Sequence, residues 1–327
     1  MDIRSLHPRR VLNRCRREIR TRAPSRFAVL CYHRIGPPGP DPWKLAVTLE
    51  HFKEHVEVLS EMGRIVELDD EVDRGRLRRA VVAERRFAIT FDDGYADGFG
   101  EVLEVLEHHA APVTVFVATG FLDQPAFWWD RLEDIVLRDQ IPVDVLLRAC
   151  ERQEVVHAGV DLGDDPPSRR WLHDQLYSLF DAMPRREITP TLDRLAGSLG
   201  VDADYDGARP FTTEELREVA AHPLVTIGVH TVNHPKLTRL ADHDALSEVE
   251  AARDELDGLL GCAVRPFAYP HGDANRATAR LVGRADFDCA VTTEDRWVSP
   301  FDRPLLVPRL HPTDVGAESF RSSVLSR

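Results

Sequence analysis

Two adjacent carboxylates, Asp92 and Asp93, directly follow an apolar run in the segment FAITFDDGYADGF at 87–99. Residues 87–91 have the β-branched and aromatic content of a buried strand, and Gly94 is a residue type that favours a turn after it. Two like charges at a strand end repel each other unless a positive charge or a shared proton lies nearby. The pair is therefore either a solvated turn or part of a charged site.

Two histidines follow a second apolar run, in VTIGVHTVNHPKLTRL at 225–240. His230 ends the run and His234 comes four residues later, so both imidazoles would lie on one side if the chain turned into a helix there. This spacing alone is weak support for a metal site. Together with Asp93 at another strand end, however, the histidines form a set of two imidazoles and one carboxylate, which leaves coordination positions open for water and substrate.

Apolar runs of strand character alternate with helical patterns along most of the chain. The runs lie at 27–33, 65–68, 87–91, 113–119, 224–230, 264–270, 287–293 and 305–310. Stretches between them, such as 100–109 and 245–260, repeat apolar residues every three or four positions. Such alternation predicts a parallel α/β sheet, and seven or eight units in one chain predict a (β/α) barrel whose active site lies on the loops that follow the strands.

Residues 121–210 interrupt this alternation with long, charged and mostly helical sequence. We interpret them as a helical insertion on one barrel loop, in which Trp128 and Trp129 either shape a substrate cleft or pack the insertion onto the barrel. The predicted organisation is then a basic N-terminal arm, a barrel with the insertion, and a C-terminal tail. These three parts are placed at 1–26, 27–313 and 314–327.

The charge balance limits the partners of the chain. With 42 lysines and arginines against 55 aspartates and glutamates, the net charge of −13 argues against a general affinity for nucleic acid or anionic membranes. The basic arm is the local exception and could contact a membrane surface. No stretch approaches the roughly 20 apolar residues of a membrane-spanning helix, and the first residues lack the apolar core of a signal peptide, so we expect a cytoplasmic location.

The five cysteines are scattered and form no CxxC pair. We therefore expect neither disulfides nor a zinc site built from cysteines.

Three motifs occur in a fixed order, TFDDGY at 90–95, HTVNH at 230–234 and FAYPHG at 267–272. Together they resemble the motifs of the polysaccharide deacetylase family, also called carbohydrate esterase family four or the NodB-homology domain, over roughly 27–311 apart from the insertion. The resemblance implies a distorted (β/α) barrel of about seven strands with a metal-dependent hydrolase site. It also implies that Asp93, His230 and His234 are the metal ligands and that Asp92 is the catalytic base.

The resemblance implies further site residues and leaves two choices open. The proton donor of the family is a histidine near the C-terminus, which His311 matches imperfectly. His33 in VLCYHRI resembles the donor of a circularly permuted branch, and we favour it. The arginine that orients the base is Arg265 by motif position, with Arg309 as a rival. The backbone N–H of Tyr269 would stabilise the developing oxyanion.

We therefore expect a hydrolase that removes an acetyl group from an N-acetylated amino sugar in a glycan or glycoconjugate precursor. The expected cofactor is a divalent metal ion, with Zn²⁺ as the default from the ligand types and Co²⁺, Ni²⁺, Mn²⁺ or Fe²⁺ also suited to them. One alternative is a metal-dependent hydrolase of a small cyclic amide or ureide, which a small closed pocket would favour. The other is a non-catalytic carbohydrate-binding protein, which would lack the base or a ligand.

Overall fold

The computed structural model describes residues 26–37, 39–72, 84–137, 141–152, 162–201 and 207–327. The predicted basic arm lies outside these ranges except for its last residue. The β-strands in the described ranges are β1 (Phe27–Tyr32), β2 (Arg34–Ile35), β3 (Ala46–Val47), β4 (Arg64–Ile65), β5 (Arg86–Phe91), β6 (Val113–Val117), β7 (Val225–Val229), β8 (Pro266–Ala268) and β9 (Cys289–Val291).

The α-helices of the same ranges follow the strands in the order that the sequence predicts. They are α1 (Leu49–Met62), α2 (Leu68–Val72), α3 (Phe99–His108), α4 (Trp128–Leu137), α5 (Val143–Arg152), α6 (Pro166–Asp181), α7 (Arg185–Leu199), α8 (Thr213–Ala220), α9 (Asp242–Leu260), α10 (Arg276–Arg284) and α11 (Ala317–Ser326). Short 3₁₀ helices lie at Thr119–Phe121, Leu237–Arg239 and Pro270–Gly272. No helix of the described ranges is long and apolar enough to cross a membrane.

Seven strands form one parallel sheet in the order β1-β5-β6-β7-β8-β9, with β4 beside β5. The segment after β9 makes parallel bridges to both end strands, from Val307 to Val291 of β9 and from Leu310 to Leu30 of β1. It therefore lies between the two ends of the curled sheet, and the fold is a distorted (β/α) barrel, as predicted. Pro308 has no N–H to donate, which explains why this predicted run forms bridges rather than a continuous strand.

The strands of the barrel are buried on both faces, which is why they read as continuous apolar runs. One face of β1 and β5, with Leu30 and Ile89 among others, packs with apolar residues of the surrounding helices. The opposite face, with Val29 and Ala88, belongs to a second apolar cluster that also draws on β6, β8 and β9. The second cluster is the interior of the barrel.

Helices α4 to α7 lie between β6 and β7, where the sequence predicts a helical insertion. They share an apolar cluster of their own, which also includes Tyr95 and Ala118 of the barrel. Trp128 and Trp129 are both buried in that cluster. The insertion is thus attached directly beside the TFDDGY motif, while the boundaries of the arm, barrel and tail stay predictions.

Candidate active site

The two carboxylates after β5 are buried and do not form a solvated turn. Asp92 is 2% exposed and Asp93 is 5% exposed. Neighbouring side chains on an extended strand point to opposite sides, but Asp93 has a left-handed backbone with φ of 71°, and Gly94 continues the turn with φ of 89°. Left-handed backbone is costly for a residue other than glycine. The chain therefore accepts local strain where it places both carboxylates at the end of β5.

Arg309 holds the first carboxylate through two parallel hydrogen bonds. Its Nη1 and Nη2 donate to the two carboxylate oxygens of Asp92 at 2.7 and 2.6 Å. Its Nε donates to the backbone oxygen of Thr292 at 2.9 Å, and the side chain is fully buried. Burial raises the pKa of Asp92, but the charge and hydrogen bonds of Arg309 outweigh burial and hold that pKa well below its usual range. Asp92 is thus an oriented, ionised carboxylate that can accept a proton.

The motif-based choice of Arg265 as the arginine that orients the base is not supported by its position. Its side chain is 38% exposed and lies 3.6 Å from Asp286. It lines a surface pocket together with Val225 and Pro266, the first residues of β7 and β8. The site lies at the opposite, carboxyl ends of the strands, so Arg265 is at the wrong end of the barrel and its rival Arg309 contacts Asp92.

We expect Arg309→Met to lower kcat/KM by at least about 10² and to move the acid limb of its pH profile to higher pH. Without the guanidinium, burial raises the pKa of the Asp92 carboxyl and is opposed only by the smaller effects of His230 and His33, so a higher pH is needed to ionise the base. A pH profile of kcat/KM measures the shift, with circular dichroism to show that the variant folds. Arg309→Lys keeps the charge but loses the two parallel hydrogen bonds. Its kcat/KM and acid limb should lie between those of the unmodified protein and those of Arg309→Met.

Arg265→Met is the matched control for this prediction, since it removes the same group at the other end of the barrel. It should leave both the rate and the pH profile close to those of the unmodified protein. An unchanged acid limb in Arg309→Met, or an equal loss in Arg265→Met, would contradict the assignment of Arg309.

Asp93 lies between the two histidines of the second motif. Its Oδ1 is 3.4 Å from His230 Nε2 and 3.3 Å from His234 Nε2, and this buried oxygen has no hydrogen-bond partner in the described part of the chain. Donor atoms that bind a tetrahedral zinc ion at about 2 Å lie about 3.3 Å from one another. The three residues therefore fit a divalent metal ion.

The orientation of His230 supports the same conclusion. Its Nδ1 lies 2.8 Å from the backbone oxygen of Ala268, which favours a proton on Nδ1 and leaves Nε2 free to bind a metal. The spacing of the histidines suggested a helical turn between them, but the chain forms none there. Instead, left-handed residues at Thr231 and His234, with φ of 66° and 59°, bring the two imidazole rings to 4.9 Å.

Both candidate proton donors lie at this site. His33 directly follows β1. One of its ring nitrogens, an oxygen of Asp92 and the sulfur of Cys31 lie within 4.8 Å of one another. His311 follows the segment beside β1 and interacts electrostatically with His33 and Asp92. Burial lowers the pKa of His33 and lowers the pKa of His311 to about 3. The segments that end at His33 and His311 are joined by the bridge between Leu30 and Leu310, and His33 is the histidine placed against Asp92.

The backbone N–H of Tyr269 is already used within the fold. It donates to Val291 at 3.1 Å, and the phenol donates to the backbone oxygen of Leu305 at 3.0 Å, so the expected oxyanion role has no support. His271 lies two residues further on, with φ of 57° and its ring 4.5 Å from that of His234. In the described ranges its backbone N–H donates to no backbone oxygen. Sequence reasoning missed His271, although it is the histidine of the FAYPHG motif.

The insertion contributes one wall of the site. The ring of Trp129 lies 5.0 Å from that of His234, and its Nε1 donates to the Tyr95 hydroxyl at 2.9 Å. That hydroxyl donates in turn to Asp130 at 2.9 Å. Trp129 thus packs the insertion onto the barrel and borders a candidate metal ligand, while a role of Trp128 and Trp129 in shaping a substrate cleft stays a prediction.

The family model described as polysaccharide deacetylase matches residues 80–290, which is more than half of the chain and includes all three motifs. The chain belongs to the polysaccharide deacetylase family. It is accordingly a hydrolase that acts on carbon–nitrogen bonds other than peptide bonds. The match agrees with the NodB-homology resemblance found in the sequence, and family members generally depend on a metal.

Individual relatives agree with this assignment. The chain is 27% identical over 276 residues to YxkH of Bacillus subtilis (strain 168), provisionally named a polysaccharide deacetylase, and the match covers 84% of this chain and 67% of YxkH. The Streptococcus pyogenes deacetylase PplD in complex with acetate matches with a TM-score of 0.58 and 18% identity, over 93% and 98% of the two chains. IcaB from Ammonifex degensii matches with 0.57 and 18%, over 92% and 96%. At such identities these two structures show a shared fold.

Proposed function

We propose that this deacetylase removes the acetyl group from an N-acetylated amino sugar in a glycan or glycoconjugate precursor, with a divalent metal ion held by Asp93, His230 and His234. The observation that carries the proposal is that the adjacent carboxylates Asp92 and Asp93 have different surroundings. Asp92 is held ionised by Arg309, whereas Asp93 has a buried oxygen between two imidazoles with no hydrogen-bond partner among the described residues. One is suited to accept a proton and the other to bind a metal.

The residues divide the hydrolysis into steps. Asp93, His230 and His234 would hold a divalent metal ion, which would supply Lewis acidity toward the acetyl carbonyl and the attacking water. Asp92 accepts the proton of the attacking water, and Arg309 keeps the carboxylate ionised and fixed in orientation. The insertion wall at Trp129 limits the water around the reacting groups.

Two groups are suited to the remaining steps. The leaving amine must be protonated, and His33 is the imidazole placed against Asp92, from which it can regain a proton. His271, whose ring packs on that of His234, has a backbone N–H that donates to no backbone oxygen of the described ranges and would stabilise the negative charge that develops on the carbonyl oxygen. We assign it the oxyanion role expected of Tyr269.

The shape beside the site favours a glycan over a small cyclic amide. A pocket of about 430 Å³ extends from His234 to Asp244, whose side chain is two-thirds exposed, so the pocket opens to the surface. A small closed chamber would favour the ureide alternative. The non-catalytic alternative requires a missing base or ligand, whereas Asp92 is present and the three candidate ligands have donor atoms within 4.8 Å of one another.

Acetate release tests the proposal directly. Metal-loaded protein is incubated with N-acetylglucosamine oligomers, lipid-linked N-acetyl sugars and small cyclic amides, and the products are quantified. We expect acetate from the N-acetylated sugars and no ring opening of the cyclic amides. Ring opening without acetate release would favour the alternative hydrolase, and no product from any substrate would contradict the proposal.

We expect His33→Ala to lower turnover of the sugar amide by about 10² or more, the usual scale of acid catalysis, and His311→Ala to have a much smaller effect. An activated aryl acetate provides the matched control, because a phenolate leaves without protonation. His33→Ala should therefore lose far less activity on the aryl ester than on the amide. The reverse ranking of the two variants would make His311 the donor.

The location and the surface contacts of the protein stay predictions. We propose a cytoplasmic enzyme whose basic arm at 1–26 would contact an anionic membrane surface.

A further inference from the structure

The pocket beside His234 lies between the insertion and the barrel. Its walls come from α4, from the α6–α7 connection, from the loop after β7 and from α9. Because it opens at a candidate metal ligand, a glycan whose acetyl group reaches the site would place neighbouring groups in this pocket. The charged residues of the pocket therefore bear on which glycan fits.

Arg185, the first residue of α7, is the unusual charge in this pocket. Its guanidinium carbon lies 4.3 Å from the centre of the Phe121 ring, and its buried Nε has no hydrogen-bond partner among the residues that the structure describes. No carboxylate lies within ion-pair distance of it in the described ranges. Burial lowers its pKa. A partly desolvated cation without a counter-charge lowers the stability of the folded protein.

Asp181, a neighbouring carboxylate of the pocket, is already paired with other cations. Its Oδ2 lies 2.6 Å from Lys236 Nζ and 3.4 Å from Arg239 Nη1. These two charges from the loop after β7 neutralise it, so Asp181 does not serve as the partner of Arg185.

The remaining carboxylates of the pocket are also engaged elsewhere. Glu248 accepts hydrogen bonds from the backbone N–H groups of Val232 and Asn233 at 3.1 and 2.9 Å and from the Asn233 side chain at 2.6 Å. Asp244 is two-thirds exposed and lies 3.4 Å from His243. Arg185 thus remains the charged side chain of the pocket without a compensating group.

The path from Arg185 to the site runs through two aromatic rings. The Phe121 ring beneath the guanidinium lies 4.9 Å from that of Trp129, and the Trp129 ring lies 5.0 Å from that of His234. The guanidinium thus lies in the same pocket as His234 but is not part of the candidate donor set. A group that it binds would belong to a neighbouring part of the glycan.

We propose that Arg185 binds an oxyanion, a carboxylate or a phosphate, carried by the glycan beside the acetylated sugar, so that the deacetylase prefers acidic to neutral glycans. The inference rests on the proposed function and adds the substrate class. A guanidinium matches either oxyanion with two parallel hydrogen bonds. Hydrogen bonds of this charged kind correspond to an affinity ratio of about 10 to 100.

Calorimetry on matched oligosaccharides tests the inference. The ligands are an N-acetylglucosamine oligomer, an equally long oligomer in which N-acetylglucosamine alternates with glucuronic acid, and an N-acetylglucosamine oligomer phosphorylated on one sugar. Metal-loaded protein carrying Asp92→Asn avoids hydrolysis during the titration. We expect at least one acidic oligomer to bind about 10-fold or more tightly than the neutral one. The two acidic arms show whether carboxylate or phosphate is recognised.

Substitutions then assign the preference to one side chain. Arg185→Gln should abolish the preference and leave the affinity for the neutral oligomer unchanged, and Arg185→Lys should restore part of it. Arg186→Gln is the matched control, because Arg186 is the next residue, is 84% exposed and lies 3.6 Å from Glu187. Equal affinities for acidic and neutral oligomers would overturn the inference. So would equal losses for all ligands in Arg185→Gln, as expected if Arg185 only packs on Phe121.

This outcome is separable from a failure of the proposed function. Absence of acetate release by the protein with Asp92 intact, on all three oligomers, contradicts the deacetylation proposal. The binding preference is measured without turnover and decides the role of Arg185 independently.

Discussion

Asp92→Asn lowers kcat by a factor of about 10² to 10⁴ on the present account, while the metal content remains that of the unmodified protein. The amide keeps the size of the carboxylate but cannot accept the proton of the attacking water, and general base catalysis accounts for rate factors of this order. Steady-state kinetics and elemental analysis on the same preparation measure both quantities. Asp97→Asn, the same change at an exposed residue of the adjoining turn, is the matched control and should be active.

The stability of Asp92→Asn must be measured alongside, because the change leaves the buried Arg309 charge without its partner. Breaking a buried ion pair costs about 3 to 5 kcal/mol, so the melting temperature should fall while the variant still folds. Loss of metal from a folded Asp92→Asn would show that Asp92 is a ligand. The roles of the two carboxylates would then be reversed.

His234→Ala should lose stoichiometric metal and, with it, activity. The variant removes one of three donor atoms in a set whose other members, Asp93 and His230, cannot hold a catalytic metal tightly alone. Elemental analysis after dialysis against metal-free buffer gives the metal content per chain. His271→Ala is the matched control, because its ring packs 4.5 Å from that of His234 but is not part of the donor set. His271→Ala should keep its metal.

Full metal occupancy in folded His234→Ala would contradict the ligand assignment. Loss of metal in His271→Ala but not in His234→Ala would show that His271, rather than His234, is the ligand. The metal site would then lie closer to Asp181, which is 3.6 Å from His271.

The strands and their order along the chain could be predicted from the sequence, because strands that are buried on both faces consist of continuous apolar residues. Strands β1, β5, β6 and β7 each end within two residues of the predicted run. Residues 305–310 are the exception. Their apolar content is that of a strand, but Pro308 has no N–H for a continuous set of hydrogen bonds to the neighbouring strands.

The ligand set was also predictable, because the carboxyl ends of parallel strands meet at one edge of the barrel. Asp93 and His230 follow different strands of the same sheet and therefore had to approach each other. How the side chains turn toward one another could not be predicted. The left-handed backbone at Asp93 and His234 is imposed by tertiary contacts on residue types that do not require it.

The arginine shows why proximity to a motif can mislead. Arg265 lies close to the third motif in sequence, but β8 separates it from the site, and an arginine before a strand reaches the wrong end of the barrel. Arg309 lies far from Asp92 in sequence and reaches it only because the last segment packs beside β1. The same reasoning applies to Tyr269, whose N–H is used by the pairing of β8 with β9, a contact that no local pattern reveals.

Metal dependence is measured as acetate release from an N-acetylglucosamine oligomer by one preparation before chelation, after chelation and after return of a divalent metal. We expect release by the untreated protein, loss after chelation with the fold retained, and recovery on addition of zinc or another divalent ion of the expected group. Asp92→Asn treated in parallel should bind the returned metal without recovering activity. Undiminished acetate release by metal-free protein would contradict the account.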